Sequence, residues 1–256
     1  MSEIHIAVQA ARSAGKMLRD HYNKPHHISY KGVIDLVTEM DHQSEQMVTE
    51  MLHDAFPEYG ILGEEGAKSS EPYTSRWIID PLDGTTNYTY NYPLFAVSIA
   101  LEKEGEIVLG VIYNPILDEL FTAEKQRGAR LNGQPIHVST TPELGKALVA
   151  TGFPYDAWSN PANNAAEVER FVKSTISLRS DGSAALDLCH IACGRLDGYW
   201  ELDLGPWDMA AGSLIVQEAG GVVTQVNGEP FHHSKRSILA NNGLIHQSMV
   251  DLLKAK

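Results

Sequence analysis

Cysteine is scarce in this chain of 256 residues, which contains only Cys189 and Cys193. The two lie four residues apart in the apolar stretch 184–193, which predicts a largely buried helix with both thiols on one face. Free cysteines are commonly buried as small apolar side chains, and neither a CxxC pattern nor paired zinc-binding histidines occur. The sequence therefore favours core thiols over a disulfide or a zinc site.

Basic residues are also few, with 20 Lys and Arg against 33 Asp and Glu and a formal net charge of −13. Sequence-independent affinity for nucleic acid comes from clustered Lys and Arg, so the balance argues against a nucleic-acid partner. An acidic protein can hold a phosphate only if cations intervene or if donors are concentrated locally. Any phosphate chemistry here would thus favour a metal enzyme.

Long apolar runs are missing as well, since no stretch approaches the roughly 18 residues that a spanning helix needs. The first residues lack the basic and apolar regions of a signal peptide. With 43% hydrophobic residues, the chain can bury one large core or two smaller ones. We expect a cytoplasmic enzyme or binding protein.

The first half of the chain predicts helices followed by strands. Apolar spacings of three and four predict amphipathic helices over 4–22 and about 41–56, the second capped by Thr38 or Asp41 and ended by Pro57. Short apolar runs then predict strands over 60–63, 77–79, 95–101, 107–113, 120–123 and 136–139. This order is typical of an α+β arrangement.

The second half alternates helices and strands, as in an α/β arrangement. Strands are predicted over 147–152, 176–179, 197–202, 221–226 and 237–240. Helices are predicted over 162–174, 184–193, 207–219 and 243–254. No long linker separates the halves, so we expect two closely packed subdomains, 1–142 and 143–256.

The most informative motif is Asp80-Pro81-Leu82-Asp83-Gly84-Thr85, which follows the apolar run 77–79. A buried strand would deliver two carboxylates beside the start of a helix. Two such charges about 4 Å apart repel by about 4 kcal/mol at an effective dielectric of 20, so they need a cation between them, and hard oxygen ligands suit Mg²⁺ or Mn²⁺. The alternative is an Asx-turn with solvated aspartates.

Two further acidic segments bear on this choice. Glu64 and Glu65 follow a predicted strand and could be a solvated loop pair. Asp208 lies in the first turn of an otherwise apolar helix, where it could interact with the helix dipole. An acid in so apolar a helix is also expected to face something positive inside the protein.

These segments together resemble the signature motifs of the inositol monophosphatase family. The matching segments, in the family's order, are Lys31–Thr38, Gly63–Glu65, Asp80–Thr85, Arg179–Ala185 and Trp207–Gly212. The resemblance spans essentially the whole chain. It implies a layered αβαβα sandwich with the site between the two halves, a Mg²⁺-dependent and lithium-sensitive phosphatase, and a homodimer.

The same resemblance implies the roles of individual residues. Two or three Mg²⁺ ions would be held by Glu64, Asp80, the carbonyl of Leu82, Asp83, Asp208 and, for the weakest ion, Asp35. The nucleophile would be a metal-activated water oriented by Glu64 and Thr85, with Asp41 accepting a hydrogen bond from Thr85. Substrate would be bound by Asp83, Gly84, Thr85, Gly182, Ser183, Ala184 and Glu201.

Some positions leave alternatives open. Glu201 could instead be an edge-strand charge. Asp181 would place an extra negative charge beside a phosphate ester, which is unfavourable unless a cation or a hydroxyl of the substrate contacts it. The eleven histidines form no metal pattern in the sequence. The substrate is expected to be a small polyol or sugar phosphate, first inositol 1-phosphate, with fructose 1,6-bisphosphate or histidinol phosphate as alternatives. A catalytically idle relative acting through protein or RNA contacts is the competing class.

Overall fold

The computed structural model describes residues 2–25, 27–30, 36–69 and 73–255. Over these residues the helices are Glu3–His21 (α1), Glu39–Ala55 (α2), Thr85–Thr89 (α3), Ala165–Val172 (α4), Ala184–Ala192 (α5), Pro206–Glu218 (α6) and His246–Lys254 (α7). Within the same ranges, none of them is both long and apolar enough to cross a bilayer.

The strands of the first half are Ile28–Tyr30 (β1), Leu36–Thr38 (β2), Gly60–Gly63 (β3), Ser75–Asp83 (β4), Ala96–Lys103 (β5), Glu106–Asn114 (β6), Glu119–Glu124 (β7), Ala129–Leu131 (β8) and Gln134–Pro135 (β9). Those of the second half are Leu148–Thr151 (β10), Ser177–Arg179 (β11), Gly198–Leu202 (β12), Val222–Thr224 (β13) and Ser237–Asn241 (β14).

Two large sheets organise the molecule. The first has seven strands in the order β3 to β9, and the second has five in the order β11-β10-β12-β14-β13. The sheets fall on either side of the boundary predicted at residue 142; that the halves are separate subdomains stays a prediction. A short antiparallel pair, β1 and β2, was not expected from the sequence.

Five layers result, because each sheet buries both of its faces. On β4, Trp77 and Ile79 pack toward α1 and α2, whereas Ile78 between them packs toward α5 and α6, as the two-residue period of a strand requires. The far face of the second sheet packs on α4 and α7. The αβαβα sandwich is therefore confirmed. Helix α6 lies between the sheets, which explains why residues 209–216 are all buried.

Most predicted elements are present, with two clear corrections. The strand predicted over 136–139 is wrong: β9 ends at Pro135, and Val138 instead donates its amide to Ala219 at the end of α6, where its side chain packs in the core. The helix predicted over 162–174 is shorter, because Asn164 has a left-handed φ of 70° and the helix begins at Ala165.

Candidate active site

The carboxyl end of β4 carries the first two acidic side chains of the site. Asp80 and Asp83 are three residues apart and would point to opposite faces of a regular strand. The pairing of β4 with β5 shifts register between them, and this irregularity lets both carboxylates reach one group. The amide of Leu82 donates to Asp80 Oδ1 at 3.0 Å, so the Asx-turn is present, but both aspartates are buried and the alternative of solvated aspartates is wrong.

A third carboxylate, Asp208, comes from the first turn of α6. Its Oδ2 accepts a hydrogen bond from the amide of Gly205 at 2.7 Å, which caps the helix. Ligand oxygens of Asp80, Asp83 and Asp208 all lie within 4.8 Å of one another. Asp208 thus interacts with the start of its own helix and also offers an oxygen close to those of Asp80 and Asp83; that it binds a metal stays a prediction.

Crowding and burial make this group electrostatically costly. Burial, and then repulsion from Glu64, Asp83 and Asp208, hold the pKa of Asp80 well above its ordinary value. Burial raises the pKa of Asp83 to about 6, although hydrogen bonds from Ser183 and from Ala185 oppose the rise. Oxygen donors that repel one another in this way are the kind of set that a hard divalent cation stabilises.

Helix α2 supports the site from behind with a buried polar face. The Thr85 hydroxyl donates to Asp41 Oδ1 at 2.7 Å, and Asp41 Oδ2 accepts from the amide and the hydroxyl of Thr38. Thr38 is the cap of α2, one of the two residues proposed for that role. One turn further on, Ser44 donates to the carbonyl of Pro81 at 2.7 Å, which fixes the turn between the two aspartates.

Glu45 is a supporting residue that the sequence analysis missed. Its carboxylate accepts the amides of Glu65 at 2.9 Å and of Ala67 at 3.0 Å, and so holds the turn that presents Glu64. A signal for it existed: Asp41, Ser44 and Glu45 recur at the three- and four-residue spacing of one helix face, and in the structure all three are buried.

The second half of the chain supplies the opposite wall. Ser183 caps α5 and donates its hydroxyl to Asp83 Oδ2, which also accepts the amide of Ala185 at 3.0 Å. Asn87, another residue missed from sequence, donates to the carbonyl of Asp181 at 2.7 Å and ties this turn to α3. Gly84 has φ 91°, and a Cβ there would approach the carbonyl of Gly182 at 3.2 Å, so the two turns meet closely.

Glu201 occupies a central strand, so the alternative of an edge-strand charge is wrong. Burial raises the pKa of its carboxyl to about 7, against the opposing hydrogen bond from the Tyr199 hydroxyl. Nearby at the rim, Arg236 donates to Asp203 at 2.7 Å. The Arg179 guanidinium is exposed and donates to Ser177 Oγ at 2.8 Å.

The carboxylates of Asp80, Asp83, Glu201 and Asp208 open on one cleft of about 460 Å³. The predicted site residues that line it are Glu64, Asp80, Leu82, Asp83, Gly84, Thr85, Gly182, Ser183, Ala184, Glu201 and Asp208. Asp41 lies behind Thr85 rather than in the wall. Asp35 falls outside the described residues. The structure therefore brings together, from both halves of the chain, every other residue that the sequence nominated.

Comparisons with known proteins agree with this geometry. The model of the inositol monophosphatase family matches residues 2–255. The inositol-1-monophosphatase of Synechocystis sp. is 44% identical over 256 residues, covering 98% of this chain and 88% of that protein. The Nus factor SuhB of Escherichia coli (strain K12) is 39% identical over 250 residues, covering 96% and 94%.

A solved structure carries the likeness into three dimensions. The extragenic suppressor protein suhB from Bartonella henselae superposes with a TM-score of 0.93 at 42% identity. The alignment covers 98% of this chain and 97% of that one. Fold and sequence thus point to the same group of proteins.

Proposed function

This chain belongs to the inositol monophosphatase family, and from that premise we propose that it is a Mg²⁺-dependent phosphomonoesterase whose substrate is inositol 1-phosphate. The observation that carries the proposal is the group of three carboxylates, Asp80, Asp83 and Asp208, gathered within 4.8 Å at a cleft between the two sheets. A phosphate ester could approach so acidic a place only with cations present.

The donor set fits magnesium. Glu64, Asp80, the carbonyl of Leu82, Asp83 and Asp208 offer only oxygen atoms, and Asp35 would complete the set for a weaker ion; Mn²⁺ has the same preferences. When bound, such ions would neutralise the charge of the phosphate and lower the pKa of a coordinated water, so that hydroxide is available near neutral pH. The number of ions, two or three, is part of the proposal.

Thr85 and Glu64 would orient the attacking water. The hydroxyl of Thr85 has one proton, and the 2.7 Å bond to Asp41 is shorter than the 3.1 Å contact with the carbonyl of Leu82. With that proton committed to Asp41, the Thr85 oxygen is left to accept a hydrogen bond from water. Glu64, presented to the cleft by the Glu45-held turn, would accept a hydrogen bond from the other proton of that water.

The opposite wall would read the substrate. We place the phosphate at Asp83, Gly84 and Thr85, and the hydroxyls of the polyol at Gly182, Ser183, Ala184 and Glu201. With a pKa raised to about 7, Glu201 can donate as well as accept near neutrality, which suits a ring whose hydroxyls do both. Polyol phosphates would therefore be preferred over esters that lack adjacent hydroxyls.

The direct test is phosphate release with Mg²⁺ from inositol 1-phosphate, fructose 1,6-bisphosphate, histidinol phosphate and adenosine 3′,5′-bisphosphate, each with and without EDTA. We expect EDTA-sensitive turnover with the highest kcat/KM on inositol 1-phosphate. A higher kcat/KM on another ester would replace the substrate but keep the reaction. Turnover unaffected by EDTA would overturn the metal assignment.

Family membership also supports expectations beyond the site. We propose that Li⁺ inhibits the enzyme and that the chain is a cytoplasmic homodimer. A LiCl titration of the activity at fixed Mg²⁺ measures the inhibition. Light scattering after gel filtration measures the oligomeric state. Inhibition no stronger than that by KCl, or a monomer mass near 28.1 kDa, would refute the corresponding expectation.

A second candidate function rests on the names of two relatives, the Nus factor SuhB and the suppressor protein suhB. A relative of that kind could act through protein or RNA contacts and leave the site idle. The panel above separates the two: absence of phosphate release from every ester, by a folded protein saturated with Mg²⁺, would favour the idle relative.

A further inference from the structure

A second group of potential metal ligands lies on and just before α5, and one of its members, Asp187, lines the same cleft. It consists of Asp181, Asp187 and His190, whose ligand atoms all lie within 4.8 Å of one another. Asp187 and His190 are three residues apart and share one face of α5, while Asp181 lies two residues before the helix cap, Ser183. None of the three has a role in the proposed reaction.

Asp187 is the residue that calls for a ligand. It is 2% exposed, and its Oδ1 has no hydrogen-bond partner among the described residues. A buried carboxylate without a partner is expensive, and burying it among like charges adds to the cost. After burial, the groups that raise the pKa of Asp187 are the carboxylates of Asp181, Glu201 and Asp83.

His190 is in a suitable form to bind a metal. Burial, and then the charge of Arg195, hold the pKa of its imidazole below the ordinary value, so the ring is neutral at pH 7 and keeps a lone pair. Arg195 itself is committed to Glu119, to which it donates at 2.8 Å and 2.5 Å. The cation that acts on the imidazole is therefore paired with a carboxylate of its own.

We propose that Asp181, Asp187 and His190 bind one Zn²⁺ ion, through a ligand set that shares no residue with the Asp80, Asp83 and Asp208 group. Two carboxylates and one imidazole form a mixed oxygen and nitrogen set, which suits Zn²⁺ and not Mg²⁺. A carboxylate and a histidine at i and i+3 of a helix are a known way to hold one ion from a single helix face.

The position of this site suggests what the ion does. Ser183 lies between Asp181 and Asp187 in sequence and donates its hydroxyl to Asp83. An ion that joins Asp181 to α5 fixes the turn that contains Gly182 and Ser183, and so fixes one wall of the cleft. No sequence signal pointed to this group, because Asp181 alone is an unexplained charge and no histidine pattern reveals His190.

The test is Zn²⁺ binding measured by equilibrium dialysis at excess Mg²⁺. A chain carrying Asp83→Asn and Asp208→Asn serves as the background, because these changes remove two of the three carboxylates grouped in the proposed active site. We expect one Zn²⁺ per chain, and a dissociation constant raised at least about tenfold by His190→Gln and by Asp187→Asn. His53→Gln, at an exposed histidine of α2, is the matched control and should bind like the background.

Co²⁺ gives an independent readout of the nitrogen ligand. Its visible absorption in the same background should weaken when His190 is replaced by Gln and remain with the His53 control. Because Asp187→Asn replaces a buried group and could impair folding, the half-buried His190 decides the question. Equal Zn²⁺ stoichiometry and affinity in background and His190→Gln, or no bound Zn²⁺ at all, would overturn the proposal.

Discussion

The two acidic groups at the cleft differ in how the protein holds them. Each aspartate of the Asp80, Asp83 and Asp208 group accepts a backbone amide: Leu82, Ala185 and Gly205 are the donors. Asp187, by contrast, has an oxygen without any hydrogen-bond partner among the described residues. The first group is therefore oriented by a scaffold drawn from both halves of the chain, whereas the second depends on one helix and the turn before it.

The difference shows how backbone amides can orient the carboxylates of a cation site before a cation binds. An amide fixes the direction of a carboxylate but carries no net charge, so the mutual repulsion of the three aspartates persists. The scaffold thus sets geometry and leaves charge to be balanced by ions. Where no scaffold exists, as at Asp187, an ion would have to supply both order and charge.

The largest effect that separates the two groups is expected from Asp83→Asn. Removing a carboxylate from the scaffolded group should lower kcat by about a thousandfold or more, beyond the about 10- to 100-fold typical of outer-shell changes. Asp187→Asn should cost less than about tenfold. Phosphate release at saturating Mg²⁺ measures both, with circular dichroism to verify folding.

Asp54→Asn, at an exposed aspartate of α2, is the control for loss of one negative charge. Equal losses of kcat for Asp83→Asn and Asp187→Asn would show that both groups take part in the reaction, and would contradict the distinction drawn between them.

The next largest effect concerns the hydroxyl of Thr85, whose proton is donated to Asp41 behind the cleft. Thr85→Val should lower kcat by about a hundredfold, the lower end of what proton-transfer groups contribute, because the hydroxyl that faces both Asp41 and the water is lost. Thr85→Ser retains the hydroxyl and should recover most of the rate. Steady-state kinetics of the pair, with Mg²⁺ activation curves, check this; a Ser variant as slow as the Val variant would assign Thr85 a packing role instead.

The fold was predictable to the extent that local patterns carry it. The hairpin at Glu104 and Gly105, both with positive φ, and the strand ending at Asp83 follow from short-range signals. Residues 136–139 show the limit: an apolar alternating run can pack against the end of α6 as well as pair with a strand. Tertiary contact, absent from local sequence, decided between the two.

The site shows the same boundary. Acidic motifs at strand and helix ends were visible, but Glu45, Asn87 and Asp187 were not, because each acts on a residue 7 or more positions away or on none. Glu45 reaches Glu65, 20 positions on, and Asn87 reaches Asp181, 94 positions on. A buried polar side chain in a helix indicates that it has a hydrogen-bond partner or a ligand, but only the fold shows which one.

A smaller effect is expected from Glu45→Gln, which tests whether the Glu45 carboxylate positions the turn that carries Glu64. The amide of Gln would set its own N–H group against one of the two backbone donors of the Glu64 turn. We expect the Mg²⁺ concentration for half activation to rise about tenfold, with kcat at saturating Mg²⁺ nearly unchanged. Glu50→Gln, on the exposed face of α2, is the matched control. A fall in kcat without a change in Mg²⁺ activation would refute the positioning role.

The smallest effect is a pH dependence of stability that should differ with and without Mg²⁺. In the folded chain Asp83 and Glu201 have pKa values of about 6 and about 7, raised from 3.8 and 4.5. Because the folded state binds these protons more tightly than the unfolded state, the free energy of unfolding of the metal-free protein falls as pH rises from about 4 to about 7. We expect Tm to fall by about 10 °C over this range.

Mg²⁺ should oppose that fall, since it binds the ionised carboxylates. Its stabilisation, measured as the increase in Tm on adding Mg²⁺, should therefore be larger at pH 7.5 than at pH 5. Asp83→Asn removes one of the titrating groups from the scaffolded cluster and should flatten both the pH profile and the Mg²⁺ effect, whereas Asp54→Asn should leave both as they are. An increase in Tm that is the same at the two pH values would mean that the ion binds away from these carboxylates.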